Sequence, residues 1–345
     1  MALIEEADLI SPEEVLGQFP SLPDHRIENR RDEIRRILDG RDPVRKLAIL
    51  GPCSAWPSQA VEDYMGMTAD LQEKVKDRVL LVGRTYLQKP RTTVGLPGPL
   101  YQPDPQRPVD INEGILQCRK MLSNVARRIG CADEMLFTHN GPYFDDLIAY
   151  LAIGARSTEN SEHRFIASGL EMPVGIKNST GGSIELGVNS VISAQAEHRF
   201  AYRGKQVHST GNPYAHLILR GGGGRSNYDP ESIALADKLM RGKKIANPAV
   251  IVDASHDNSL NGSGKDPTLQ EMVVQTVLLG ITNKRKEYEI IKGFMLESFI
   301  KEGKQDEKGP NYDMGGLSIT DPCMGWERTE RLVRQTADTI DSHVR

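Results

Sequence analysis

Short apolar runs recur along this chain with helical stretches between them, and that alternation limits the fold more than any other feature. Eight runs can be read, at residues 47–50, 79–82, 135–137, 151–153, 174–176, 217–219, 250–252 and 290–296. Helical patterns fill most of the gaps, at 58–76, 112–129, 145–151, 183–196, 230–240 and 269–279. Strands that alternate with helices predict a parallel sheet with helices outside it. Eight such units over about 300 residues predict an α/β fold, a (β/α)8 TIM barrel, rather than an open doubly wound sheet. Between units five and six, residues 199–208 read as an inserted β-hairpin.

Residues 1–44 differ from the rest and read as an N-terminal helical extension, expected to make an oligomer contact, ahead of a catalytic barrel of residues 45–345. Ser11-Pro12-Glu13-Glu14 has the form of a helix start, with Ser as cap, Pro in the first turn and Glu at the third position. A second helix is expected from about Asp24 to Leu38, with Gly40 behind it. Its run Arg30-Arg31-Asp32-Glu33-Ile34-Arg35-Arg36 reads as a solvated face.

In a TIM barrel the chemistry sits at the C-terminal ends of the strands. Those ends carry Arg84, Lys89, Arg91, Arg156, Lys177 and Arg220. The whole chain has a formal charge of only −4. Six cations converging on one mouth of such a chain call for an anionic ligand, phosphorylated and carboxylated, because Arg forks match both groups. The small, mixed charge argues against a nucleic-acid partner. No run approaches the ~18 apolar residues of a membrane span. The N-terminus lacks the pattern of a secretory signal, so a cytoplasmic location is expected.

Cys53, His256, Glu297 and Asp321 also fall at or just beyond strand ends. A thiolate, an imidazole and two carboxylates suit a divalent transition metal such as Mn, Fe, Co, Zn or Cu better than Mg or Ca. An ordinary histidine at 256 and four reduced cytosolic thiols remain the alternative, since the cysteine spacings match no zinc or CxxC motif. Asp253 is a candidate supporting group behind the ligands.

In order along the chain stand GPCS (51–54), KPRTTVG (89–95), GAR followed by STE (154–159), PVGIKN (173–178), HLILRGG (216–222), DASHDNS (253–259), MLES (295–298) and SITDPCMGWE (318–327). Together they resemble the type I 3-deoxy-D-arabino-heptulosonate 7-phosphate (DAHP) synthases, the phospho-2-dehydro-3-deoxyheptonate aldolases. The resemblance implies the first step of the shikimate pathway, which leads to chorismate and the aromatic amino acids. Phosphoenolpyruvate and erythrose 4-phosphate would condense to the seven-carbon acid phosphate with release of phosphate. It implies phosphoenolpyruvate contacts from Arg84, Lys89, Glu134, Ala155, Arg156, Lys177 and Arg220. It implies erythrose 4-phosphate contacts from Lys89, Pro90, Arg91 and Thr92, with Asp321 nearby. It implies a divalent metal ion (Mn, Fe, Co or Zn) on Cys53, His256, Glu297 and Asp321. Lys89 would protonate the new alkoxide, Glu134 would handle the attacking water, and His256 would take part in catalysis. A homodimer or homotetramer is implied, as is a Cys53–Cys323 disulfide on oxidation.

The chain departs from the family at four places. The hairpin is shortened, Glu171 replaces a small residue of the inhibitor pocket, Phe137 replaces an acidic residue after strand three, and Gly223-Gly224-Arg225 replaces a Lys-containing loop. A carboxylate at 171 is expected to be buried in that pocket and unfavourable there unless paired. These changes predict feedback control by Phe, Tyr or Trp that is lost or altered, with neutral loop drift as the alternative. Phe137 also keeps open a specialised synthase that joins phosphoenolpyruvate to another aldehyde, and a third reading is an inactive regulatory paralogue.

Overall fold

The computed structural model describes residues 3–91 and 94–344. Helix α1 (Pro12–Gln18) starts as its sequence predicts. Ser11 accepts the Glu14 N–H on its hydroxyl, and the Glu14 carboxylate accepts the Ser11 N–H at 2.9 Å. Helix α2 (Arg26–Leu38) follows, and then the barrel begins.

The chain next runs β1 (Lys46–Gly51), α3 (Ser58–Val75), β2 (Val79–Arg84), α4 (Ile111–Ala126), β3 (Gly130–Glu134), a short α5 (Gly141–Phe144), β4 (Ile148–Ile153), α6 (Ser161–Ala167), β5 (Val174–Lys177) and α7 (Ile184–Gln195). A separate antiparallel hairpin of β6 (His198–Tyr202) and β7 (Lys205–Ser209) interrupts the alternation. Then come β8 (His216–Leu219), α8 (Pro230–Gly242), β9 (Val250–Asp253), a small hairpin of β10 (Leu260–Asn261) and β11 (Gly264–Lys265), α9 (Leu269–Thr282), β12 (Ile291–Glu297) and α10 (Trp326–Val344). Eight strands close on themselves in the order β1-β12-β9-β8-β5-β4-β3-β2, and neighbouring strands are parallel. This is the (β/α)8 barrel that the alternation predicts. Among the described residues no helix is long and apolar enough to cross a membrane.

Closure decides what lies inside. Strand residues such as Leu47, Ile49, Leu80, Val82, Ile251 and Met295 fill the lower barrel. Ile34, Ile37 and Leu38 of α2 belong to the same cluster, so α2 plugs the barrel at the N-terminal ends of the strands. This corrects the reading of its arginine run as a solvated face. Arg31 is buried, donating from Nε to the Ile148 carbonyl at 3.0 Å and from Nη2 to the Asp145 carbonyl at 2.6 Å. Those carbonyls stand at and just before the start of β4, and a guanidinium satisfies both.

Two further expectations shift. The third strand is Gly130–Glu134 and not 135–137. Its small and charged residues hide it from an apolar-run reading, while Phe137 lies half-exposed in the following loop. The stretch 145–151 is not a helix but one tight turn (Asp145–Leu147) leading into β4. β4 is buried on both faces, and such a run carries no period to separate it from helix.

Arg31→Ala would leave two carbonyls without their charged donor. A loss of about 2 kcal/mol or more is expected, read as a melting temperature lowered by several degrees in thermal denaturation.

Candidate active site at the barrel mouth

The strand ends open into a cavity of about 490 Å³ lined by Cys53, Arg84, Lys89, Arg156, Lys177 and Arg220, among others. That volume is the size of a small-ligand site. Parallel register sets its floor: Gly51 pairs with Glu297 across β1 and β12, and Arg84 pairs with Ala132 across β2 and β3. Arg84 and Glu297 therefore point inward from nearby strands and meet at 2.9 Å, both almost wholly buried. Burial alone would raise the Glu297 carboxyl, but Arg84, His256 and Lys89 outweigh it and hold it down to about 2. The Arg84 guanidinium also lies over the Tyr86 ring, 3.9 Å from its centre.

Beside this pair lies the sulfur-containing cluster. Ligand atoms of Cys53, Glu297 and Asp321 all fall within 4.8 Å of one another. His256 reaches toward the same point, with Nε2 at 3.7 Å from Glu297 Oε1. Its Nδ1 lies 3.0 Å from the buried Asp253 carboxylate and 2.7 Å from the Ser255 hydroxyl. A carboxylate behind an imidazole, with the far nitrogen presented to a cluster of oxygen and sulfur donors, is how metal-ligating histidines are commonly oriented. Burial lowers His256 to about 4 against the opposing pull of Asp253, so the ring is neutral at pH 7. His256 also holds a left-handed backbone, φ +57°, which is strained for a non-glycine residue. The donor set thus fits a divalent transition metal.

Lys89 bridges the cluster. Its ammonium donates to Cys53 Sγ at 2.6 Å and to Asp321 Oδ2 at 2.9 Å. Burial opposes its charge, but Cys53, Asp321 and Glu297 more than compensate and raise its pKa, so it is protonated. Across the mouth, Lys177 lies 3.2 Å from Asp253 and 3.9 Å from Glu134. The Glu134 carboxylate fits only because Gly154 has no side chain: a Cβ there would collide with it.

Pro90, Arg91 and Ala155 also line the cavity, so the predicted site residues that the structure describes come together there. Thr92 lies outside the described residues. Cys53 and Cys323 are both buried free thiols. Sequence reasoning missed three charged groups. Asp257 pairs with Arg220 at 3.3 Å and accepts the Gly224 N–H at 3.0 Å. Glu307 accepts two hydrogen bonds from Arg91, at 2.8 and 2.9 Å. Lys265 donates to Asp321 at 2.6 Å. Asp257 could have been suspected from its place next to His256, but nothing in the local pattern signals the other two.

Two readings of the departures change. Phe137 does not line the mouth; it packs edge-on to Tyr101 and stacks on His139. Glu171 is not buried: its side chain is 81% exposed and lies 3.6 Å from Arg31.

A barrel with a cation-lined mouth above a mixed N/O/S donor cluster defines an enzyme of phosphorylated substrates. The sequence model of the DAHP synthetase I family matches residues 24–334, and the chain belongs to that family. It is 37% identical to the Tyr-sensitive phospho-2-dehydro-3-deoxyheptonate aldolase of Escherichia coli (strain K12), over 99% of this chain and 96% of that protein. It is also 37% identical to the Trp-sensitive enzyme of the same strain, over 97% and 95% of the two chains. The solved structure of phospho-2-dehydro-3-deoxyheptonate aldolase from Francisella tularensis SCHU S4 superposes with a TM-score of 0.90 at 32% identity, covering 99% of each chain.

One half-buried acid behind the mouth makes a testable link. Asp133 precedes Glu134 at the end of β3 and accepts the Leu87 N–H at 3.0 Å, two residues before Lys89. Burial raises its carboxyl to about 7. The folded state then binds a proton that the unfolded state has lost between about pH 4 and 7, so stability falls as pH rises through that window. Asp133→Asn keeps the acceptor and removes the charge. Its melting temperature relative to the parent chain should rise from pH 5 to pH 8, as measured by scanning fluorimetry.

Proposed function

We propose that this protein condenses phosphoenolpyruvate with erythrose 4-phosphate and water to give 3-deoxy-D-arabino-heptulosonate 7-phosphate and phosphate. The observation that carries the reading is the convergence of Arg84, Arg156, Lys177 and Arg220 with Lys89 and Arg91 in one cavity, in a member of this family. Arg156, Lys177 and Arg220 bind the phosphate and carboxylate of phosphoenolpyruvate, with Arg84 beneath them. Lys89, Pro90 and Arg91, together with Thr92, receive the aldose phosphate.

C3 of phosphoenolpyruvate attacks the aldehyde carbon, and the carbonyl oxygen gathers charge. Lys89, held protonated, donates a proton to that oxygen. Glu134, beside Lys177, orients and deprotonates the water that adds at C2. The C2–O bond to phosphate then breaks, and phosphate leaves with the electron pair. A divalent metal ion held by Cys53, His256, Glu297 and Asp321 supplies Lewis acidity at the aldehyde when bound. Because Phe137 lies away from the mouth, its identity offers no support for a different acceptor.

Feedback control is lost or altered in this reading. The cavity beside the hairpin, lined by Met135, Phe137, Ile166 and Leu170 with Tyr202 of the hairpin at its edge, measures about 30 Å³. That is room for about one water and not for an aromatic side chain.

Phosphate release from phosphoenolpyruvate should require erythrose 4-phosphate, stop with EDTA and return with added divalent cation. Release that ignores the aldehyde would overturn the reading. Lys89→Met should lower kcat by about 10²-fold or more while leaving the melting temperature near that of the parent. Phenylalanine, tyrosine and tryptophan should each leave the rate unchanged, and strong inhibition by any of them would show that control persists.

A further inference from the structure

We propose that Lys265 is a binding residue for the phosphate of the aldose phosphate, carried into the mouth by the β10–β11 hairpin. This rests on the reading of the cavity given above and adds a seventh cation to it.

The hairpin is built to hold Lys265 in place. After the turn at His256–Ser259, Leu260 pairs with Lys265 and Asn261 with Gly264. The Asn261 side-chain oxygen accepts the Ser263 N–H at 2.8 Å and closes the turn. Its amide donates to Asp266 at 3.0 Å. Asp266 in turn donates its N–H to the Ser259 carbonyl at 2.9 Å and accepts the Thr268 N–H and hydroxyl at 2.9 and 2.7 Å, just ahead of α9. The backbone is therefore pinned on both sides of Lys265. Its ammonium lines the cavity and reaches Asp321 Oδ2 at 2.6 Å.

Charge and position then favour a phosphate. Lys89 and Lys265 donate to the same oxygen of Asp321. One carboxylate faces two ammonium groups, while Glu297 is already matched by Arg84. A unit of positive charge is left over at this rim, open to the cavity. Around the barrel, the adjacent strands β9, β12, β1 and β2 lead to Lys265, Asp321, Cys53 and Lys89. Arg156, Lys177 and Arg220 follow β4, β5 and β8 on the opposite arc. Lys265 thus shares the arc of Lys89 and Arg91, the side assigned to the aldose phosphate. Arg91 there is already engaged by Glu307, and Lys89 is committed to the reacting oxygen. A dianionic phosphate on that side needs another cation, and Lys265 supplies it as a point charge.

The test compares Lys265→Met and Lys265→Arg with the parent chain, using erythrose 4-phosphate and unphosphorylated erythrose as acceptors. Lys265→Met should raise KM for erythrose 4-phosphate about tenfold or more, leave KM for phosphoenolpyruvate within about twofold, and lower kcat/KM far less with erythrose than with erythrose 4-phosphate. Lys265→Arg should recover most of the loss. Lys265→Gln carries the same test if the methionine variant does not fold. An unchanged KM for erythrose 4-phosphate would overturn the proposal. So would an equal loss with both acceptors, because Lys265 would then act only by holding Asp321. A parent enzyme that shows no preference for erythrose 4-phosphate over erythrose would overturn the broader function instead, whatever the variants do.

Discussion

The buried pair between Arg84 and Glu297 is the contact on which the rest of the mouth depends. Both side chains are almost wholly out of water. Removing one partner of such a pair would leave a bare charge in the barrel, at a cost of about 3–5 kcal/mol. Strands β2 and β12 flank β1 and carry the pair into the mouth, where it orders its neighbours. The Glu297 oxygen facing Arg84 also faces His256. His256 is backed by Asp253, and Asp253 lies within ion-pair distance of Lys177. A chain of paired groups therefore crosses the mouth, with the neutral imidazole of His256 between two carboxylates and each carboxylate held by a cation on its other side.

That network explains how a cation-rich cleft stays folded. Arg220 is matched by Asp257, Arg91 by Glu307, and Lys89 and Lys265 by Asp321. The carboxylates offset most of the mouth's positive charge without filling it, and an open cavity of about 490 Å³ remains. Under the proposed function, an entering phosphate would compete with these carboxylates for the same forks and ammonium groups. Binding would then be an exchange of anions, its strength set by the charge each rim has in excess.

Much of the architecture was legible because its signals are local. A capped helix start at Ser11, apolar runs at regular intervals and cations just past them do not depend on distant partners. β3 escaped because Cys131, Ala132 and Asp133 carry no apolar run. The start of β4 was misread because a strand buried on both faces has no alternation to show. Arg31 passed for a surface residue because its partners are carbonyls more than a hundred positions away. Lys265 and Glu307 stayed hidden for the same reason: Asp321 and Arg91 meet them only across loops.

The order of residues alone decided that this chain alternates strands with helices, and which chemical groups follow each strand. It could not decide distances. Barrel closure gathers Cys53, Glu297 and Asp321 within 4.8 Å of one another and brings His256 up beside Glu297, since parallel strands end on the same side. The fold also left Glu171 in solvent and Phe137 against Tyr101, two positions where the family resemblance suggested the opposite. The direction of a side chain follows from which strand pairs with which, and only the folded barrel holds that information.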